Sequence, residues 1–270
     1  MLILKELVLM TDKREIIRYQ RWFGTYARSF IKGATAKAKE AIGLKLVHSQ
    51  RVRRISKDLA VRIGLDVHSI FLAELCGLFH DIGRLIQFQR YGTFVDSKSE
   101  DHALLGIQVL EKYKVFKDLE HKEQELLKDA IFVHNKFSIP SDFEGLKLVL
   151  SKILRDADKI DIWRVFECFY SKGSGPQEIN LGLEPGKSIS DKVLADFLKG
   201  RMVRIEDVRN QLDFMVMRLG WLYDINYDES LKILVKRGYI DSLIKRLPEG
   251  PKRQSILKRV KRFLQERLDT

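Results

Sequence analysis

The chain has 270 residues, 45% of them hydrophobic and 32% charged, enough for one large or two small domains around a real core. Its two cysteines, Cys76 and Cys168, lie 92 positions apart with no CxxC pair. That argues against a zinc ribbon or a disulfide framework and fits two core thiols in a reducing, cytoplasmic setting. No uncharged apolar run approaches the ~18 residues a membrane span needs, and the opening MLILKELVLMTDKRE lacks a cleavable signal pattern, so no membrane partner is expected.

The formal charge of +12 is concentrated at the ends: residues 1–57 hold 14 Lys/Arg against 4 Asp/Glu, and residues 251–270 hold 7 against 2. Basic ends suit an anionic partner such as nucleic acid, or simply a solvated basic face. No aromatic residues alternate with the cations as a stacking platform requires, so nothing beyond net charge supports nucleic acid. A homo-oligomer is equally compatible with this composition.

In chain order, residues 12–31 read as an amphipathic helix (Ile16, Ile17, Tyr19, Trp22, Phe23, Tyr26). Residues 45–63 place Val52, Ile55, Leu59 and Ile63 on one stripe, and 68–82 are apolar almost all round, the mark of a central helix. Residues 89–101 form a loop in which Arg90, Tyr91 and Lys98 could border a pocket. Ser99 then reads as the N-cap of a helix with Glu100 and Asp101 in its first turn. Helical patterns continue over 122–134 and 145–170. The Gly- and Pro-rich stretch 171–189 reads as a loop, and helices follow around 190–200, 203–223, 228–246 and 252–268, the last set off by PEGP at 248–251. Strand and hairpin signals are poor. The expected class is all-α, divided into an N-terminal helical segment (1–43), a core (44–170), the loop, and a C-terminal helical extension (190–270).

The histidines stand out by position. His48 lies on the stripe of Val52 and Ile55, His102 shares a face with Gly106, Val109 and Tyr113, and His134 shares one with Leu127, Ala130 and Ile131. His80 and Asp81 close the most apolar helix. Imidazoles and carboxylates are seldom buried unless paired or metal-bound, so four inward histidines and an aspartate point to convergence on a metal. His68 and His121 sit in polar junctions and read as surface residues. The segment SKILRDADKIDIWRVF, 151–166, adds Asp156, Asp158 and Asp161 near its apolar stripe, and the helical wheel does not choose among them.

His48, then His80-Asp81 within HDIGR, then Asp158 within DADKID resembles the HD superfamily of metal-dependent phosphohydrolases, over residues 44–166. The resemblance implies an all-helical core and, through the family's aspartate motif, Asp158 as the last ligand. With His102 and His134 added, it implies two ions: one held by His48, His80, Asp81 and Asp158, the other by Asp81, His102 and His134, with Asp81 bridging. An all-N/O donor set favours Mn or Fe, with Mg, Co and Ni as alternatives. The implied reaction is hydrolysis of a small phosphorylated, nucleotide-like compound by metal-activated water, with Asp81 and Arg84 catalytic and Arg84 and Lys136 meeting the phosphate. His134 is followed by NKFSIP rather than the HHE…GYP of cyclic-di-GMP phosphodiesterases, and no synthetase segment accompanies the core. Two alternatives share the ligand set: a di-iron oxygenase of the same superfamily, and a regulatory module with a vestigial site.

Overall fold

The protein, described by a computed structural model over residues 2–171 and 182–268, is all-α, with no strand among the described residues. It divides into two compact units, Met1–Asp158 and Lys159–Thr270. No helix among the described residues is long and apolar enough to cross a membrane.

The first unit is assembled on α3 (Val67–Phe79), which is buried on nearly every side. α2 (Ala36–Arg62) packs along it, and α1 (Leu2–Ile31) covers its end. Tyr19, Trp22 and Phe23 of α1 set their rings on Phe79, with Phe23 edge-on at 5.8 Å between centroids, and Phe116 meets Phe79 at 5.3 Å. Ile17, expected on the buried stripe, is exposed because it falls on the opposite side of α1 from Tyr19 and Phe23. α2 starts nine residues ahead of the pattern read from 45–63, capped by Thr35, whose hydroxyl accepts from the Ala38 N–H. Its early turns expose Leu44 and Val47, so they carry no stripe to read.

α3 does not run to residue 82. His80 is its C-cap and Ile82 precedes the next helix, both with right-handed helical backbone, and a short α4 (Gly83–Tyr91) follows until Gly92 at φ 65° ends it. Sequence periodicity missed α4 because a polar residue, Gln87, shares its buried face with Leu85. The next helix, α5 (His102–Lys112), begins later than expected. Asp101, not Ser99, is the N-cap, its carboxylate accepting from the Ala103 N–H at 3.0 Å. Ser99 instead donates to the Val95 carbonyl at 2.9 Å and accepts from Gln87 Nε2 at 2.8 Å. Tyr113, expected to share the buried face of His102, is the exposed C-cap of α5. α6 (His121–Val133) opens with a capping box between Glu120 and Glu123 and delivers His134 as its C-cap. α7 (Gly145–Ser171) gives its first half to this unit and its second half to the next.

α4 and α5 meet through Gly83 and Gly106. A Cβ on Gly83 would lie 2.0 Å from the His102 carbonyl oxygen and 2.5 Å from the Gly106 nitrogen, so only glycine permits this approach.

In the second unit, the expected helix over 203–223 begins only at α9 (Gln211–Gly220), capped by the Asn210 side chain accepting from the Leu212 and Asp213 N–H groups. It follows α8 (Asp191–Leu198) and passes into a 3₁₀ turn, Trp221–Asp224. The expected helix over 228–246 is two, α10 (Asp228–Lys236) and α11 (Tyr239–Lys245), because Gly238 takes φ 68° between them. α12 (Pro251–Leu268) starts with proline at its first position, where no amide hydrogen is needed. Cys76 is buried as expected, but Cys168 is exposed on the second half of α7. Of the 171–189 loop, residues 172–181 lie outside the described residues, and 182–189 carry no helix.

Gly83→Ala should therefore destabilise the protein by about 3 kcal/mol or more, whereas Gly43→Ala, with nothing within 4 Å of its added methyl, should be neutral or gain about 0.5–1 kcal/mol. Thermal unfolding of the two variants against the parent checks this; equal melting temperatures would refute the close approach.

Candidate metal centre

Helix ends and one buried stripe build the site. His48 comes from the middle of α2, His80 and Asp81 from the turn between α3 and α4, His102 from the first position of α5, His134 from the C-cap of α6, and Asp158 from α7. All four histidines and Asp81 are buried. His48 Nε2 lies 3.2 Å from His80 Nε2, 3.0 Å from Asp158 Oδ1 and 3.5 Å from Asp81 Oδ2. His80 Nε2 lies 3.6 Å from Asp81 Oδ2 and 3.5 Å from Asp158 Oδ1. On the other side, His102 Nε2 is 3.0 Å from His134 Nε2 and 3.3 Å from Asp81 Oδ1, with His134 Nε2 4.0 Å from that same oxygen. The two oxygens of Asp81 thus face two different histidine pairs.

Three of the rings have their tautomer set by a fixed oxygen. His80 Nδ1 donates to the Gly77 carbonyl at 3.0 Å, His134 Nδ1 to the Ile131 carbonyl at 2.6 Å, and His102 Nδ1 to Asp96 Oδ2 at 2.7 Å. Each Nε2 is then a bare lone pair aimed inward, the state in which imidazole ligates a metal. Burial pushes His134 down to about 3, with His102 and His80 adding to the effect, and burial also lowers His102. His102 and His134 stay neutral at pH 7. Burial alone would raise the carboxyls, yet the cations of Lys45 and Arg84 hold Asp81 well below the usual range, and the contact with His48 does the same for Asp158. The lone pairs of His102 and His134, 3.0 Å apart and beside the ionised Asp81, repel one another unless a cation lies among them. The donor set therefore fits divalent metal, through His48–His80–Asp81, His80–His134–Asp158 and Asp81–His102–His134, with Asp96–Asp101–His102 as a fourth grouping at its edge.

The structure brings together all six residues expected as ligands and separates the three candidate aspartates. Asp158 joins the cluster; Asp156 and Asp161 are fully buried but belong to none of the groupings. Arg84 directs Nε toward Asp81 Oδ1 at 3.4 Å, while its Nη1 donates to Asp96 Oδ1 at 2.6 Å, to Gln87 Oε1 and to the Phe94 carbonyl. Lys136 pairs with Asp101 and sits 4.6 Å from the Phe132 ring centre rather than beside Asp81. Arg90 and Tyr91 both engage Glu100 at the surface. His68 and His121 are exposed.

Two residues escaped sequence reasoning. Lys45, one turn before His48 on α2, places Nζ 2.7 Å from Asp81 Oδ2, its side chain partly exposed and 5.3 Å from the Phe94 ring centre. Its three-residue offset from His48 was the available signal. Asp96 binds His102, Arg84 and Gln87 at once, and Asn135 reaches it at 3.3 Å. It lies in an irregular polar stretch with no pattern that could reveal it.

The profile of the HD domain family matches residues 46–163, which contain every residue of the cluster. This stretch is an HD domain. HD domains bind divalent metals and belong to a superfamily of metal-dependent phosphohydrolases. Among curated relatives, ribonuclease Y of Mycoplasma capricolum subsp. capricolum is 37% identical over 68 residues, 25% of this chain and 11% of that protein. Ribonuclease Y of Mesoplasma florum is 31% identical over 91 residues, 34% of this chain and 14% of that protein. The chain thus spans only a small part of the length of these relatives. No solved structure matches it.

Because Asp96 fixes the His102 tautomer, Asp96→Asn should weaken metal binding about 10–100-fold with little change in the circular-dichroism spectrum. Titration of the chelated protein with Mn²⁺ measures this, and unchanged affinity would show that His102 is not ordered through Asp96.

Proposed function

We propose that the HD domain holds two divalent cations, Mn or Fe first and Mg, Co or Ni as alternatives, and hydrolyses the phosphoester of a small, nucleotide-like compound. The observation that carries the reading is the division of Asp81, with Oδ2 toward His48 and His80 and Oδ1 toward His102 and His134. His48, His80, Asp81 and Asp158 would hold one ion and Asp81, His102 and His134 the other. Bound there, the ions supply Lewis acidity and an activated water.

The chain's own residues do the rest. The Nδ1 contacts of His80, His102 and His134 keep their Nε2 atoms unprotonated and fixed in direction. Asp96 anchors Arg84 so that its guanidinium remains beside Asp81, in reach of a phosphoryl oxygen delivered to the centre. Lys45 flanks Asp81 from the other side and adds a second cation at the rim. Lys136 would join the substrate only by leaving Asp101. Asp81 itself is 4% exposed, and charge pairing is stronger there than in water. The ribonuclease Y relatives put nucleotide phosphodiesters first among substrates to assay.

The deciding measurement is metal content by elemental analysis of protein purified without oxygen or chelators, paired with phosphate-ester hydrolysis. About two ions per chain are expected. Asp81→Ala should lose metal and hydrolysis together, His102→Ala should retain a single ion, and Asp158→Ala should be far more damaging than Asp156→Ala in ions bound per folded chain. Hydrolysis at the parent rate in Asp81→Ala would overturn the site. Iron-dependent oxygen uptake without ester cleavage would replace hydrolysis with oxygenation.

A further inference from the structure

The second unit contains a buried cation that the HD domain does not explain. Arg218, near the end of α9, is 8% exposed, and its Nε and Nη1 have no hydrogen-bond partner. Its guanidinium carbon lies 3.1 Å from the centre of the Phe166 ring, 4.4 Å from that of Phe214 and 4.7 Å from that of Trp221. Aromatic faces attract a cation but accept none of its N–H groups in the way an oxygen or a halide does. Burial pushes the group's pKa down, yet a guanidinium keeps its proton in proteins. The charge therefore stays, and a desolvated charge needs a counter-charge.

A small cavity lies beside it. Arg218 lines a small space of about 10 Å³ together with Phe166, Tyr170 and Trp163. Trp163 is 4% exposed and its indole N–H also lacks a partner. Two residues thus bring buried, unsatisfied donors to one cavity. The carboxylate among the lining residues is Glu167, which is engaged by Arg246 at 3.2 Å and by the Ser242 hydroxyl. Among the described residues that line the cavity, Glu167 is thus already engaged and Arg218 brings the other charge. A water would satisfy donors but bring no charge; a single anion does both.

We propose that the cavity beside Arg218 is a binding site for one small monovalent anion, either a free halide such as chloride or the carboxylate of a small organic acid. Arg218 supplies the charge and two N–H donors, and the Trp163 indole N–H supplies a third. The site lies outside the metal cluster and does not depend on the reading of it.

The test is thermal unfolding of the full chain at constant ionic strength, with sodium gluconate, whose bulk the cavity excludes, replaced stepwise by chloride, bromide or formate. An anion that binds only the folded state raises the melting temperature along a saturable curve. The parent protein should show that curve. Arg218→Met, which keeps an unbranched side chain in the core, should lose it, and Trp163→Phe should move its midpoint to about tenfold higher anion concentration, the cost of one hydrogen bond. A response to chloride and bromide alone assigns a halide; a stronger response to formate assigns a carboxylate. Should Arg218→Met not fold, Trp163→Phe and an anomalous-scattering peak from bromide in the cavity decide the matter. Identical melting in gluconate and all three replacements, or a full response in both variants, would overturn the site.

Discussion

Four imidazole nitrogens and two carboxylates face one another across about 3–4 Å inside the first unit, and everything around them serves to tolerate that crowding. Like-signed lone pairs in a medium of low polarity repel strongly. At His102 and His134 no proton relieves the repulsion at neutral pH, because burial and fixed Nδ1 hydrogen bonds keep these two rings neutral with their bare nitrogens inward. Cationic groups are what remains. Lys45 and Arg84 provide part of the compensation from opposite sides of Asp81, and the set of donors accommodates divalent ions for the rest. Burial that would be expensive for each group alone becomes coherent for the group as a whole.

Bringing these six side chains to one point draws on the ends of helices. His80 is the C-cap of α3, His102 the first residue of α5 and His134 the C-cap of α6, so three of the four imidazoles hang from helix termini, where side chains reach past the last turn. His80 and His134 use the same device: Nδ1 returns to the carbonyl three residues earlier, of Gly77 and Ile131. The closest constraint is between helices. Gly83 lets the His102 carbonyl approach within the space a methyl would need, which brings the start of α5 against the turn holding His80 and Asp81. A packing requirement at a glycine is in this way a requirement of the site.

Much of this was legible in the sequence because periodicity records burial. His48 lies in phase with Val52, Ile55 and Leu59, and His134 with Leu127, Ala130 and Ile131, all buried; a polar side chain in phase with a core stripe has to be matched by something inside. Periodicity fails where the rule is inverted or the distinction is tertiary. α4 went unread because its buried face carries Gln87, satisfied by Asp96 and Ser99. Ser99 and Asp101 are both good caps, and only the packing of α4 decides that Asp101 caps while Ser99 serves Gln87. Asp156 and Asp158 flank their stripe almost equally, and only the positions of His48 and His80 distinguish them. Gly238 interrupts a run whose apolar spacing is continuous, through a left-handed backbone that spacing does not encode.

The two units meet the cost of buried charge by different routes, and the contrast explains what each sequence segment needs. In the first, negative carboxylates are surrounded by directional donors, so exact side-chain identity matters: Asp96 must offer one oxygen to His102 and the other to Arg84, and an amide in its place would turn one acceptor into a donor. In the second, the guanidinium of Arg218 lies against the faces of Phe166, Phe214 and Trp221, which lower its energy through their electron density without directional demands. Rings alone leave its N–H groups unsatisfied. Aromatic residues can therefore hold a cation in a core, but only an acceptor that also carries negative charge completes its environment, which is the physical difference between a packed arginine and a bound one.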